Sequence, residues 1–412
     1  MREMFHFLRN LKGNPKTILL CDPFWTIPFA MFFPFATLYM FALGLDDIAI
    51  GLILTISMSS NFVMALLGGV LTDKFGRRRI LIITDTLAWS VPVLIWAFAQ
   101  DIRWFIAAAL FNSVQHIAMV AFECSWVDDF EESKIPKFIN WIHIFWLTAS
   151  LFALISGHFV EIYTVVPVMR VLYMVAFVTM TLRMVFIFIF VKETARGKER
   201  LEATADKSII ELLKGNKEVF FMIIRSRGMR RLLFLLPMVG IFQMVAGTYF
   251  ALYATQNLGI AESFLAYFPV IRAGISLIFY FFIQNHLGRF NQRLLMRIGL
   301  ALFIIGHTLL LLAPPQNLAW LMVYALADAW AAAMFFPRLE TLVFNSIDPT
   351  ERARCRSLIN VIVLAVTAPF GIFAGFLSDM DRRLPFMLNM VLFIGMIIIL
   401  ARGRSNEGGH EA

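Results

Sequence analysis

Charged residues are scarce in this chain. Asp, Glu, Lys and Arg make up 16% of its 412 residues, against about 25% in an ordinary soluble domain. Apolar side chains fill the deficit, at 60% of the chain with a mean hydropathy of +0.76, so a soluble globular fold is excluded. Cysteines are few as well: Cys21, Cys124 and Cys355 form neither a paired framework nor a metal-ligand spacing, which argues against disulfides and a metal site. No GxSxG, HExxH or strand-borne GxGxxG occurs, and no paired nucleophile and base, so neither an enzyme nor a bound cofactor is expected. The absence of a nucleotide-binding loop also removes direct ATP drive. A net charge of +8 would suit nucleic acid in a soluble chain, but here the basic residues sit between apolar runs, where they suit a membrane surface and no nucleic acid.

Stretches of about 20 apolar residues, the length that crosses a bilayer as a helix, recur near 18–43, 48–71, 79–99, 104–127, 138–160, 168–191, 231–255, 264–284, 294–313, 318–344, 357–378 and 384–401. An all-α integral membrane protein with twelve spans in two sets of six follows. One six-helix bundle occupies 1–191 and the other 231–412, which includes a short polar tail. The interval 192–230 is the single long polar one, and its Ile209, Ile210, Leu212, Leu213, Val219, Phe220, Ile223 and Ile224 alternate with charged residues. That pattern predicts one or two amphipathic helices on the membrane surface.

Orientation follows from the basic residues. With both termini on the same side, 29 of the 36 Lys and Arg fall in segments of that side and four, Arg103, Arg170, Arg382 and Arg383, on the other, leaving Arg183, Arg272 and Arg338 inside spans. The positive-inside rule then places both termini in the cytoplasm and the chain in the cytoplasmic, or inner, membrane. The first sixteen residues, with Arg2, Arg9, Lys12 and Lys16 and no small-residue cleavage site, have the pattern of a cytoplasmic leader.

Between the second and third runs stands a charged knot, Gly69-Val70-Leu71-Thr72-Asp73-Lys74-Phe75-Gly76-Arg77-Arg78-Arg79. Charges this dense do not sit in hydrocarbon, so this is an interfacial loop, with Gly69 and Gly76 allowing close helix approach and a tight reversal. Its pattern, position and spacing resemble the signature loop of the major facilitator superfamily. A weaker copy, Asn285-His286-Leu287-Gly288-Arg289, follows the eighth run, as expected of parallel repeats. Leu45 after Gly44, Trp89 with Pro92, Pro369-Phe370-Gly371 and Leu384-Pro385-Phe386 resemble a group of bacterial permeases of unassigned substrate.

The resemblance implies a monomeric secondary transporter that moves a small-molecule substrate across the lipid bilayer by alternating access, with spans one, four, seven and ten nearest the cavity. The loop becomes an inner gate in which Arg77 reaches Asp128 or Asp129, and Asp73 faces the start of span eleven. Ionisable and polar groups at depth are candidates for the cavity and for coupling to protons: Asn112, Gln115, His116 and Glu123 in span four, Gln243 and Tyr249 in span seven, Arg272 in span eight, Asp328 in span ten. Arg272 and Asp328 lie at similar depth, as do Asp85 and Arg183, the latter on peripheral helices and read as a structural ion pair. Trp25, Phe29, Phe32 and Tyr39, on a first span broken by prolines, form a candidate aromatic lining. Multidrug-type proton antiporters of the superfamily carry an Arg and a Gln-Gly in span four, of which only Gln115 is kept, so efflux is the alternative. A non-transporting receptor of the same shape stands further off.

Overall fold

The structure is a computed structural model that describes residues 7, 10–128, 130–131, 134–214, 227–287, 290–347 and 352–401. The expectations for Asp129, for Gly288 and Arg289 of the second loop, for linker residues 215–226, for most of the leader and for the tail after 401 lie outside them. The described chain is helical, with no strand among these residues.

Eleven helices are long and apolar enough to cross a membrane. They are α1 (Gly13–Ala42), α2 (Asp47–Phe75), α3 (Arg77–Ala97), α4 (Ile102–Val127), α5 (Lys137–Tyr163), α6 (Val165–Phe190), α7 (Met229–Asn257), α9 (Gln292–Leu311), α10 (Leu318–Asn345), α11 (Cys355–Met380) and α12 (Leu384–Ala401). The twelfth expected span, α8, is also helical but is assembled from consecutive pieces, Glu262–Ala266, Tyr267–Ile278, Phe279–Ile283 and Gln284–Leu287, with a 3-10 turn first and a π turn third.

Local chemistry sets the boundaries. Asp46 caps α2 by accepting from Ala49 N at 2.7 Å, Asp101 caps α4 through Arg103 N, and Asn317 caps α10 through Trp320 N. Prolines bend α1: a new helical segment starts at Pro23, Pro28 lies inside it, and Phe33–Phe35 tightens into a 3-10 turn. On α6, Val171, Val175, Val178, Leu182, Val185 and Ile189 form one apolar stripe, all exposed, the face that hydrocarbon covers in a membrane helix.

The two bundles meet along a seam where α2 lies on α11 and α5 on α8. The end of the molecule that carries the charged loop and the linker is here the motif face, and the opposite end the far face. In the far half the seam is drawn tight by small residues. A Cβ on Gly51 would stand 2.7 Å from Gly371 O, one on Gly375 2.8 Å from Asp47 O, and one on Gly157 2.8 Å from Ser263 O. Small residues at such crossings let backbones touch, as is common in membrane bundles.

Candidate functional site

The charged loop is where the sequence is densest in chemistry, and it folds as a knot on the first bundle. Gly76 turns the chain between α2 and α3 at φ +87° and ψ 147°, a region open essentially to glycine alone. Arg77 follows and is buried; its Nε donates to Asp128 Oδ2 at 2.8 Å, and its Nη2 pairs with Asp73 Oδ1 at 3.0 Å. Thr194 Oγ1 donates to the same Asp128 oxygen at 3.1 Å. Glu193 caps α3, accepting from Arg77 N and Arg78 N at 3.1 Å each, which places a carboxylate at the positive end of the helix. Lys74 in turn reaches the carbonyls that close the first linker helix, Ala195–Thr204, at Thr204, Ala205 and Lys207.

The Arg77–Asp128 contact is present and Asp73 joins it from one turn earlier, but all three residues lie on the first bundle, so this contact by itself spans no gate between the bundles. Residues 348–351, which lead into α11, lie outside the described residues; among the described ones the Asp73 carboxylate meets Arg77, and its carbonyl accepts from Thr204 Oγ1 at 3.2 Å. The close helix approach expected at Gly69 belongs to Gly68. A Cβ there would stand 3.2 Å from His116 O, whereas Gly69 faces open space, because one residue turns the helix by about 100°. Substituting Ala for Gly76 forces the disfavoured dihedrals and crowds Glu193, whose Oε2 lies 2.8 Å from the added Cβ. It is expected to cost roughly 1–3 kcal/mol, visible as a lowered midpoint in thermal unfolding of the purified protein.

At the far face a second charged cluster crosses the seam. Asp47, at the start of α2, is buried and accepts from Ser378 Oγ at 2.5 Å and from Arg382 Nε and Nη2, both at 3.0 Å. The Arg382 guanidinium also lies over the Phe41 ring at 5.2 Å. Thr55 Oγ1 accepts from Ile372 N at 2.7 Å a little deeper in the seam. These bonds and this ion pair join the two bundles in the far half. Neither Asp47 nor Arg382 was a sequence candidate. The signal was an acid at the start of one span and a basic pair beyond another, with nothing along the chain to join them.

Between the two faces, Arg272 of α8 and Asp328 of α10 do meet, with Nη1 and Oδ2 3.9 Å apart, and Arg272 is 45% exposed along its side chain. That distance makes an ion pair but is too long for a hydrogen bond. Arg183 and Asp85 contrast with it: their 2.8 Å contact is nearly closed to solvent. The depth argument thus pairs both sets correctly and the geometry separates a loose pair from a tight one. Gln243 is exposed on α7, on the face where Gly247 meets no atom within 4 Å. Tyr249 sits elsewhere, buried in the seam with its hydroxyl donating to Gly371 O at 3.3 Å.

On α4, Gln115 Nε2 donates to Asn112 Oδ1 at 3.1 Å and Asn112 Nδ2 to Ala88 O at 2.8 Å, within a π turn of α3. His116 Nδ1 is buried with no partner. Glu123 feels the charge of Arg356, and His143 that of Glu340, both on the second bundle. Arg356 and Glu340 themselves form an exposed pair at 3.1 Å.

The aromatic candidates divide into two groups. Trp25 stacks on Phe29 at 4.8 Å and meets Trp89 edge-on at 4.8 Å and Trp146 at 5.2 Å, the last 44% exposed. Phe32 and Tyr39 instead turn into the bundle against Trp96 and Tyr173, with the Tyr39 hydroxyl donating to Trp96 O at 2.8 Å. They pack the first bundle and line no opening.

The model of the MFS_1 like family matches residues 26–388. Among solved structures, the nucleoside transporter NupG has a TM-score of 0.70 at 15% identity, over 95% of this chain and 98% of that one. A POT family transporter in complex with 5-aminolevulinic acid has 0.71 at 12%, over 94% of each chain. The human organic anion transporter MFSD10 has 0.62 at 14%, over 94% and 98%. At such identities the likeness is one of fold. No curated protein matches the sequence.

Proposed function

Since the chain belongs to the MFS_1 like family, a multi-pass membrane family, we propose that it is a secondary transporter that carries a small organic solute by alternating access, coupled to protons. The observation that carries this reading is the lock across the seam at the far face. The bundles are locked at the far face through Asp47, Ser378 and Arg382, while the loose Arg272–Asp328 pair stands half open at mid-depth. With the motif face in the cytoplasm, as the excess of basic residues there supports, this is a state closed to the outside.

The solute enters from the motif face and settles between the second-bundle groups Arg272, Asp328 and Gln243 and the first-bundle surface of Trp25, Phe29 and Trp146. Arg272 exchanges Asp328 for an anionic group of the solute, and the freed carboxylate takes the proton. Arg77, Asp73 and Asp128 hold the motif loop rigid, so that it seats against the second bundle when the inner face closes. A nucleoside transporter and a transporter that binds 5-aminolevulinic acid share the fold, and a small, polar, partly charged solute of that size suits these groups. The stacked Trp25, Phe29, Trp89 and Trp146 favour a second reading, proton-driven efflux of flat apolar compounds.

A thermal-shift screen of the purified protein against metabolites and drugs at two pH values tests both. A solute present at 100 times its Kd stabilises the folded state by about 2.7 kcal/mol. A charged metabolite that raises the midpoint in a pH-dependent manner, with the pH dependence lost in Asp328→Asn, is the expected result. Stabilisation by apolar drugs alone turns the assignment to efflux, and a ligand whose effect is indifferent to Asp328 contradicts the coupling.

A further inference from the structure

Asp22 was not among the sequence candidates, although an acid five residues into the first predicted span met the same criterion that selected Asp328. It occupies the break in α1, where one helical segment ends at Cys21 and the next begins at Pro23. Its backbone carbonyl is used, accepting from Trp25 N, Thr26 N and Thr26 Oγ1. Its side chain is not. Asp22 is 5% exposed, and Oδ2 is buried without any hydrogen-bond partner.

The charges around it do not balance. Arg183 of α6 and Asp85 of α3 are the groups whose charge acts on Asp22, and the guanidinium is already spent on Asp85 at 2.8 Å, with its own Nε left unpartnered. From α4 and α5, also packed on this part of α1, come the ionisable groups His116, which has no partner at Nδ1, Cys124, Glu123 and His143, the last two under the charge of Arg356 and Glu340. Cys21 is the neighbour on the same helix. Two carboxylates thus share one cation in a closed interior. An ionised carboxylate there lacks the pairing that offsets its loss of water.

We propose that Asp22 is a proton-binding site of the first bundle, its buried Oδ2 taking up and releasing one proton while Arg183 holds Asp85 or is shared between the two acids. On uptake a hydronium ion gives its proton to Oδ2, forming one O–H bond and leaving water; release is the reverse. Neutral Asp22 leaves the Arg183–Asp85 pair closed. Ionised Asp22 draws Arg183 toward the break in α1 and pulls on the segment that starts at Pro23. Trp25 lies one turn further along the same helix face, with its Nε1 buried and unpartnered. Trp25 stacks on Phe29 and touches the exposed Trp146, so the movement reaches the surface proposed to receive solute. This rests on the transport reading for its purpose but not for its chemistry.

Infrared difference spectroscopy of the purified full-length protein, titrated with acid and alkali alone, tests it without any solute. The expected result is a protonated-carboxyl band that titrates in the native protein and is lost, to the extent of one carboxyl per chain, in Asp22→Asn. Should that variant fail to fold, Asp85→Asn serves: freeing Arg183 for Asp22 moves the titration to more acid pH. A band unchanged in Asp22→Asn, or a titration unmoved in Asp85→Asn, overturns the proposal. A titrating Asp22 in a protein that binds no solute would instead leave the proton site standing and remove the transport reading.

Discussion

Replacing Arg382 with alanine is expected to open the far face. The change strands Asp47, whose side chain is 3% exposed, with Ser378 as its remaining partner. Removing one member of a buried, doubly hydrogen-bonded ion pair costs roughly 3–5 kcal/mol. Since Arg382 is 24% exposed, the lower end is the better guide, and even about 1.4 kcal/mol is a tenfold change in a conformational equilibrium. The cost falls on the closed state alone, because the pair joins the bundles only while the seam is shut. Spin labels at Ala42→Cys and Asp379→Cys, exposed positions on opposite bundles at the far face, would report it as a longer and broader distance distribution. Arg382→Lys keeps the charge but loses the two-pronged fork and should fall between. An unchanged distribution in Arg382→Ala would mean that the glycine contacts of Gly51, Gly371 and Gly375 hold the seam without the charges.

The second large effect concerns the motif face. Arg77→Ala leaves Asp128, 7% exposed at its side chain, without its cation and releases Asp73 from its pair. A loss of roughly 3–5 kcal/mol is expected, because the guanidinium is the shared centre of a cluster tying α2, α3, α4 and the start of the linker. Arg79→Ala, two residues on and exposed, should change stability by no more than about 0.5 kcal/mol. Chemical unfolding of the two variants side by side gives the comparison. Proteolysis adds a local readout, since cleavage between 195 and 214 should accelerate in Arg77→Ala alone. Equal stability of the two variants would show that the loop is an ordinary basic connector.

Much of this was legible before any coordinates because helices convert sequence position into depth. At 1.5 Å per residue, counting from span ends was enough to pair Asp85 with Arg183 and Arg272 with Asp328, and the loop pattern brought Arg77 to Asp128. Rotation about the helix axis was not legible in spans that are apolar on every side. That is why the close approach falls on Gly68 and not Gly69, why Tyr249 is in the seam, and why Phe32 and Tyr39 point inward. Contacts between distant spans were also hidden: Asp47 and Arg382 are 335 residues apart, and composition offers no clue that two far-face charges meet. Asp22 differs, since its position inside a span was in plain view and only the stranded oxygen reveals its interest.

The central claim is that the two bundles expose one cavity to alternate faces. Cysteine replacing Gln243, in a background freed of Cys21, Cys124 and Cys355, tests it most directly when a membrane-impermeant maleimide is applied to vesicles of each orientation. The account predicts labelling from the motif face while Asp47–Arg382 is intact and a shift of labelling to the far face in Arg382→Ala. Labelling from the same face at the same rate in both backgrounds, or from neither face, would contradict it.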